Sequence, residues 1–240
     1  MSNGRFDNIQ EIFEILNANS VKYLVLRNYE NLLQPELFVG EHADIDMLCD
    51  DSQQVVTLLG AQSNRRNQSP LVGDGVHYYL IVNGQKVSFD LRQVGDGYYC
   101  EKWEVDLLRR RKKQACFYVM EDEDYFYTLA YHAILQKRQF SDEYRCRLQA
   151  MASDCGIAMD GNDERGFLHV LEQYMNQHGY QFTYSQDYLV PNRFGLVSND
   201  LIQHDRKLWW KHKKFDFEVA VIEFLVRIKH LFDGLQRRKP

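Results

Sequence analysis

Proline is scarce in this chain, at 4 residues in 240, and the 14 glycines form no cluster. That excludes a Pro/Gly-rich linker and a fibrous repeat. No run of 18 apolar residues occurs, so no ordinary membrane-spanning helix is expected. Residues 1–8 hold no apolar stretch, so no secretory signal is expected either. Cysteine is sparse and odd in number: Cys49, Cys100, Cys116, Cys146 and Cys155, with no CxxC pair. This argues against a disulfide framework and a zinc site, and makes a reducing cytoplasm the simplest compartment. A basic excess is missing as well: 29 Lys plus Arg meet 34 Asp plus Glu, a net −5. A dedicated nucleic-acid coat would normally be basic. What is present is the make-up of a soluble globular chain, 45% hydrophobic and 26% charged, long enough for a sizeable core.

Hydrophobic spacing changes character along the chain. Residues 8–16 carry apolar positions at helical intervals, and 21–26 read as a buried strand. A second strand is expected over 43–49, then a helix from an N-cap at Ser52 to about Gln62. Residues 76–82 and 85–91 are strand-like and flank Asn83-Gly84, the strongest short hairpin signal. A short strand follows at 115–120. Beyond it Glu121 to Asp124 place acids at the start of a helix, where the dipole favours them. Further helices are expected over 142–152, 164–176 and 217–235, with an aromatic short hairpin within 180–198. The expected fold is α+β: a mixed N-terminal sheet with flanking helices over 1–120, then a mainly helical domain over 121–240.

The informative segment is His42-Ala43-Asp44-Ile45-Asp46-Met47-Leu48. In a strand, residues two apart share a face, so Asp44 and Asp46 stand side by side while Ile45 and Met47 face the core. Two such carboxylates repel unless something neutralises them, and a hard divalent cation does so with oxygen ligands. A third acid, Asp90, alternates with apolar neighbours at the end of the hairpin's second strand. Three converging strand carboxylates can hold Mg²⁺ or Mn²⁺ and activate a hydroxyl against a nucleoside triphosphate. A DxD in a strand with one polar face is also a common surface pattern, and it occurs in metal-dependent glycosyltransferases.

The ordered set decides between these. Strand 21–26, the DxD strand, a helix, the hairpin and the third Asp follow one another in the chain. In that order the sequence resembles the DNA polymerase β-like nucleotidyltransferase superfamily. More narrowly, Tyr23 to Leu32 with Ala43 to Leu48 looks like a branch of nucleotidyltransferases associated with bacterial capsule and lipopolysaccharide gene clusters. Val94 to Tyr99 and the run Tyr125 to Tyr144 are similar to it too. The resemblance spans roughly residues 20–150. It implies that Asp44 and Asp46 bind metal, and that Asp90 binds metal or serves as base. It also implies that Lys137, then Tyr144, reach the phosphates from the helical part. The family's Gly-Ser turn is here Arg27-Asn28. Arg27 offers phosphate a planar fork and Asn28 tolerates a left-handed turn, or else the replacement signals altered donor choice or lost activity.

Other polar residues read more simply. His132 suits a core or ligand-orienting histidine better than a base, and His42 could orient the metal pair. Gly95-Asp96-Gly97 reads as a structural turn, and Arg109 to Lys113 as a solvated helix end. Residues 204–240 carry ten Lys plus Arg and five Asp plus Glu, or +5, against −10 for the remainder. Basic flanks and Trp209-Trp210 fit a helix packed on the domain or one lying on an anionic membrane surface. The expected activity is transfer of a nucleoside monophosphate from an NTP to a small molecule, sugar or glycan acceptor, in surface polysaccharide synthesis, with Mg²⁺ or Mn²⁺ as cofactor. A nucleotidyltransferase-fold binding module without turnover is the alternative, and a glycosyltransferase the third. No dedicated nucleic-acid partner is expected; the basic end is read first as packed on the domain, with peripheral contact with the inner face of a membrane as the other option.

Overall fold

The computed structural model describes residues 4–34, 44–64 and 76–236. His42 and Ala43 lie outside them, as do residues 65–75 and Arg237 to Lys239. The chain divides into two compact units, Met1–Gln203 and His204–Pro240. The change of composition near residue 120 marks the end of the strands, and the first unit continues well past it.

The first unit is built on an eight-stranded mixed sheet. Its strands are β1 (Arg5–Phe6), β2 (Tyr23–Val25), β3 (Asp44–Cys49), β4 (Gln62–Ser63), β5 (His77–Val82), β6 (Gln85–Gln93), β7 (Lys112–Gln114) and β8 (Phe117–Val119). They lie in the order β1-β5-β6-β3-β2-β8-β7, with β4 beside β5. The β5–β6 hairpin turns at Asn83 and Gly84, with φ of 47° and 74°. Both lie in the left-handed region that a tight hairpin of matching twist requires. Strand β3 runs parallel to β6 and antiparallel to β2, so the DxD strand is central. Its Ile45 and Met47 join Phe89 and Leu91 in the core beneath the sheet.

Helices α1 (Ile9–Ala18), α2 (Ser52–Leu59), α3 (Glu101–Arg110), α4 (Asp122–Leu135), α5 (Asp142–Asp154) and α6 (Glu164–His178) complete this unit. Helix α4 is its hub: every residue from Asp124 to Leu135 is buried. The cap of α2 is Asp51 rather than Ser52, because the extended Asp51 side chain accepts from the Gln54 N–H. The helix ends short of Gln62, at Gly60 with φ 63°. Helix α3 has no capping side chain, since Cys100 before it makes no cap hydrogen bond, and its start is marked only by the first-turn acids Glu101 and Glu104. No hairpin forms within 180–198. Its aromatic residues instead follow an irregular path into short 3-10 turns at Phe194–Leu196 and Asn199–Leu201, tied by a single bridge from Phe182 to Ile202.

The second unit is the helix α7 (Arg206–Gln236). It starts well before Phe217, because Asp205 Oδ1 accepts from the N–H groups of Lys207 at 2.8 Å and Leu208 at 2.9 Å. The tryptophan pair therefore lies inside the helix. Among the described residues no helix is long and apolar enough to cross a membrane.

Candidate functional site

Register and alternation place the three expected carboxylates together. Asp44 pairs with Ser88 and Asp46 with Asp90 across the parallel strands β3 and β6. All three acids share the face opposite the core. Over that face opens a cleft of about 790 Å³. It is lined by the residues that the resemblance assigns to the site: Arg27, Asn28, Asp44, Asp46, Asp90, Lys137 and Tyr144. It also gathers His77, Arg92, Tyr98, Gln136 and Asp187, which sequence reasoning missed. His77 and Arg92 sit in strands read for their apolar neighbours. Asp187 lies in an irregular segment nearly a hundred residues from its partners. No local signal marks any of the three.

At one end of the row, Arg27 Nη2 stands 2.8 Å from Asp46 Oδ2 and its Nη1 donates to the Tyr98 hydroxyl at 2.7 Å. Burial pulls the Arg27 pKa down, but Asp46 and then Tyr98 more than offset it, so the guanidinium stays charged. The Tyr98 hydroxyl lies 3.1 Å from His132 Nδ1. Gln136 donates its Nε2 proton to the Tyr98 carbonyl at 2.8 Å, which turns its Oε1 toward His132 Nδ1 at 3.1 Å. That oxygen accepts an Nδ1 proton, whereas the Tyr98 hydroxyl would donate to a bare Nδ1, so the two neighbours favour opposite tautomers. Burial first, then Arg27 and Lys137, hold the His132 pKa well below its ordinary value. His132 is thus a neutral core histidine.

Asn28 adopts φ 56°, the left-handed turn anticipated for it. The turn is held by side chains: Asn28 Oδ1 accepts from Arg147 Nη1 at 3.0 Å, and Arg147 Nη2 also reaches Glu30 at 2.8 Å. Lys137 follows the end of α4. Burial and then Arg27 lower its pKa, against the pull of Asp46. Tyr144 lies in the first turn of α5, where its N–H donates to the Ser141 cap at 3.3 Å. In the run Arg109 to Lys113, Arg109, Arg110 and Lys112 make ion pairs away from the cleft. Arg110 grips Asp124 at 2.6 Å, and Lys112 meets Asp122 at 2.5 Å.

At the other end, His77 Nδ1 lies 2.7 Å from Asp90 Oδ1. Its Nε2 is 3.7 Å from Asp187 Oδ2, which accepts from Arg92 Nη2 at 2.9 Å. The Arg92 guanidinium also stands 4.3 Å from the centre of the Tyr98 ring, so Tyr98 joins both ends. The loop that presents Tyr98 is itself pinned. Glu104, fully buried, accepts from the N–H groups of Gly95 at 2.7 Å and Tyr99 at 3.0 Å. Asp96 accepts from the Tyr98 N–H at 2.7 Å. Gly97 has φ 75°, and a Cβ there would meet the Tyr184 carbonyl at 2.4 Å. Only glycine fits, which makes this segment a structural turn.

Three carboxylates form the oxygen donor set that a hard divalent cation takes. As the side chains stand, two of them are already engaged, Asp46 by Arg27 and Asp90 by His77. Among the described residues no three His, Cys, Asp or Glu side chains lie close enough together to hold an ion. The strands bring the three acids to one face, but their side chains form no ion site as they stand, and any cation at Asp46 would have to exchange with a guanidinium.

No family model and no curated relative matches the chain. Among solved structures it is similar to the antibiotic-resistance factor ANT(2'')-Ia in solution, at 10% identity. That likeness covers 71% of this chain and 90% of the other, with a TM-score of 0.37.

Proposed function

We propose that the cleft transfers a nucleoside monophosphate from an NTP to a hydroxyl or phosphate of a small molecule, sugar or glycan. The observation that carries this reading is the register of β3 and β6, which sets Asp46 opposite Asp90 with Asp44 on the same face, beneath cationic Arg27, Arg92, Lys137 and Arg138. In this reading Asp44 and Asp46 hold a divalent cation, which when bound offsets triphosphate charge and polarises the α-phosphate. Arg27, freed from Asp46, and Lys137 neutralise phosphate, and Tyr144 and the Asn28 turn bound the triphosphate. Asp90, aimed by His77, accepts the acceptor's proton. The new bond forms between the acceptor oxygen and the α-phosphorus; the bond from that phosphorus to the bridging oxygen breaks, and pyrophosphate leaves. Synthesis of a surface polysaccharide at the inner face of a membrane is the setting that the sequence resemblance suggests.

The cleanest test is Asp44→Asn. Asp44 is exposed, so its loss leaves the fold unstressed. Isothermal calorimetry should show that Mg²⁺-dependent NTP binding is lost; unchanged binding would remove Asp44 from the site. A second reading has its own observation, the Arg27–Asp46 pair at 2.8 Å. A cleft closed by that pair could bind nucleotide without turnover. A screen of the four NTPs with Mg²⁺ or Mn²⁺ and candidate acceptors, read by pyrophosphate release, separates the two. Release that Asp90→Asn abolishes is the expected outcome.

A further inference from the structure

The turn after β2 is anchored from α5. Arg147 Nη1 donates to Asn28 Oδ1 at 3.0 Å. Arg147 Nη2 is itself held by Glu30 Oε1 at 2.8 Å and by the Tyr125 hydroxyl. A guanidinium only donates, so the Asn28 amide must turn its oxygen toward Arg147. Oxygen and nitrogen diverge across a planar amide, and Nδ2 therefore carries its two protons away from Arg147. Among the described residues no group accepts them. The backbone N–H of Asn28 is already engaged, donating to the Tyr125 hydroxyl at 3.4 Å. Asn28 is exposed and lines the cleft together with Arg27, Asp44 and Asp46. What this residue offers the cleft is thus a side-chain donor rather than its main chain.

We propose that Asn28 Nδ2 donates to the triphosphate and that Arg147 is the positioning residue that aims it. The inference rests on the nucleotidyl-transfer reading above and deepens it. Arg147 acts through the amide, because its Nη1 is taken by Asn28 and its charge is met by Glu30. The backbone at Asn28 has φ 56°, which glycine adopts freely and which Asn and Asp tolerate. The amide can therefore be exchanged while the turn keeps its conformation.

Isothermal calorimetry with Mg²⁺ and inorganic tripolyphosphate reads phosphate binding without a base to select. Asn28→Gly deletes the amide, and Kd should rise by about tenfold or more, the loss expected for one hydrogen bond to a charged group. Asn28→Asp keeps the acceptor for Arg147 but puts an anionic oxygen where the donor was, and should raise Kd further. Arg147→Met should weaken binding as well, and Arg147→Lys, which can still donate to Oδ1, should recover part of that loss. In the Asn28→Gly background Arg147→Met should add nothing, since the residue it aims is already gone. Wild-type affinity in Asn28→Gly overturns the proposal. So does a further loss from Arg147→Met in that background, which would put the guanidinium itself on the phosphate. A wild type that binds neither tripolyphosphate nor any of the four NTPs with Mg²⁺ overturns the nucleotidyl-transfer reading along with this inference. Wild-type binding that Asp44→Asn abolishes and Asn28→Gly leaves intact overturns this inference alone.

Discussion

Asp46 and Asp90 face each other across two parallel strands, yet they keep different company. Asp46 meets Arg27, a buried guanidinium that stays charged at every pH at which the protein folds. Asp90 meets His77. An imidazole cancels a carboxylate's charge only when it is protonated. One carboxylate has a permanently cationic partner; the other has a partner whose charge depends on its proton. The contrast explains how a row of three acids is tolerated at the base of a cleft, since the middle one has its counter-ion built in. It also divides the proposed labour. The Asp46 end is where exchange between a guanidinium and a cation would occur, and the Asp90 end is where a proton would move.

The largest effect expected from breaking this contrast is on stability. Arg27→Met leaves Asp46 buried to 16% side-chain exposure without its partner, and removes a donor from Tyr98. Breaking a buried pair from one side costs about 3 kcal/mol. Asp44→Asn, at an exposed position, should stay within about 0.5 kcal/mol of wild type. Urea unfolding of both measures the difference, and a loss below about 1 kcal/mol for Arg27→Met would show that the pair does not hold the cleft together. The next effect is catalytic. His77→Phe keeps an aromatic ring but removes the proton that aims Asp90. Loss of an orienting partner of this kind typically slows a site by about 10- to 100-fold. Pyrophosphate release should fall by that factor while KM for the NTP stays constant. A change in KM alone would move His77 from orienting Asp90 to shaping the nucleotide pocket.

Much of the Asp46–Asp90 row was legible because strands encode faces in a two-residue period. The DxD, the third Asp and the hairpin dipeptide are local patterns, and the structure keeps them. The left-handed Asn28 was legible for the same reason, since short polar side chains tolerate that region. What escaped was long-range or unsignalled. Helix α3 lacks a capping side chain, so only the acids Glu101 and Glu104 mark its start. Helix α4 was legible at its acidic start, but its burial from Asp124 to Leu135 leaves no amphipathic face to show what it packs against. Asp187, Arg92 and His77 meet only because an irregular segment returns to the sheet, and nothing in the spacing of those three residues announces it. Asp205 could have been read as a cap, which would have put the tryptophan pair inside α7.

The smallest expected effect concerns pH and lies behind the Asp46 end. That end looks indifferent to pH, because its own pair is carboxylate and guanidinium. The loop that presents Tyr98 to Arg27, however, hangs on Glu104 and Asp96. Burial first, and then Asp96, push the Glu104 pKa up to about 8. Burial likewise raises that of Asp96, against the pull of Arg92. A folded-state pKa raised above the unfolded value means that the folded protein binds the proton more tightly. The stability this supplies is complete below about pH 4.5, declines as pH rises, and is gone once pH passes about 8. Wild-type melting temperature should therefore fall between pH 6 and pH 9, by about 5 °C. Glu104→Gln, which cannot ionise, should start lower, because its amide nitrogen meets a backbone N–H where the acid accepted one, and should lack most of that slope. Hydrogen exchange at Gly95 and Tyr99 should accelerate over the same range in the wild type. If the slope persists in Glu104→Gln, the pH sensitivity belongs to another group, and the Asp46 end is as indifferent to pH as its ion pair alone suggests.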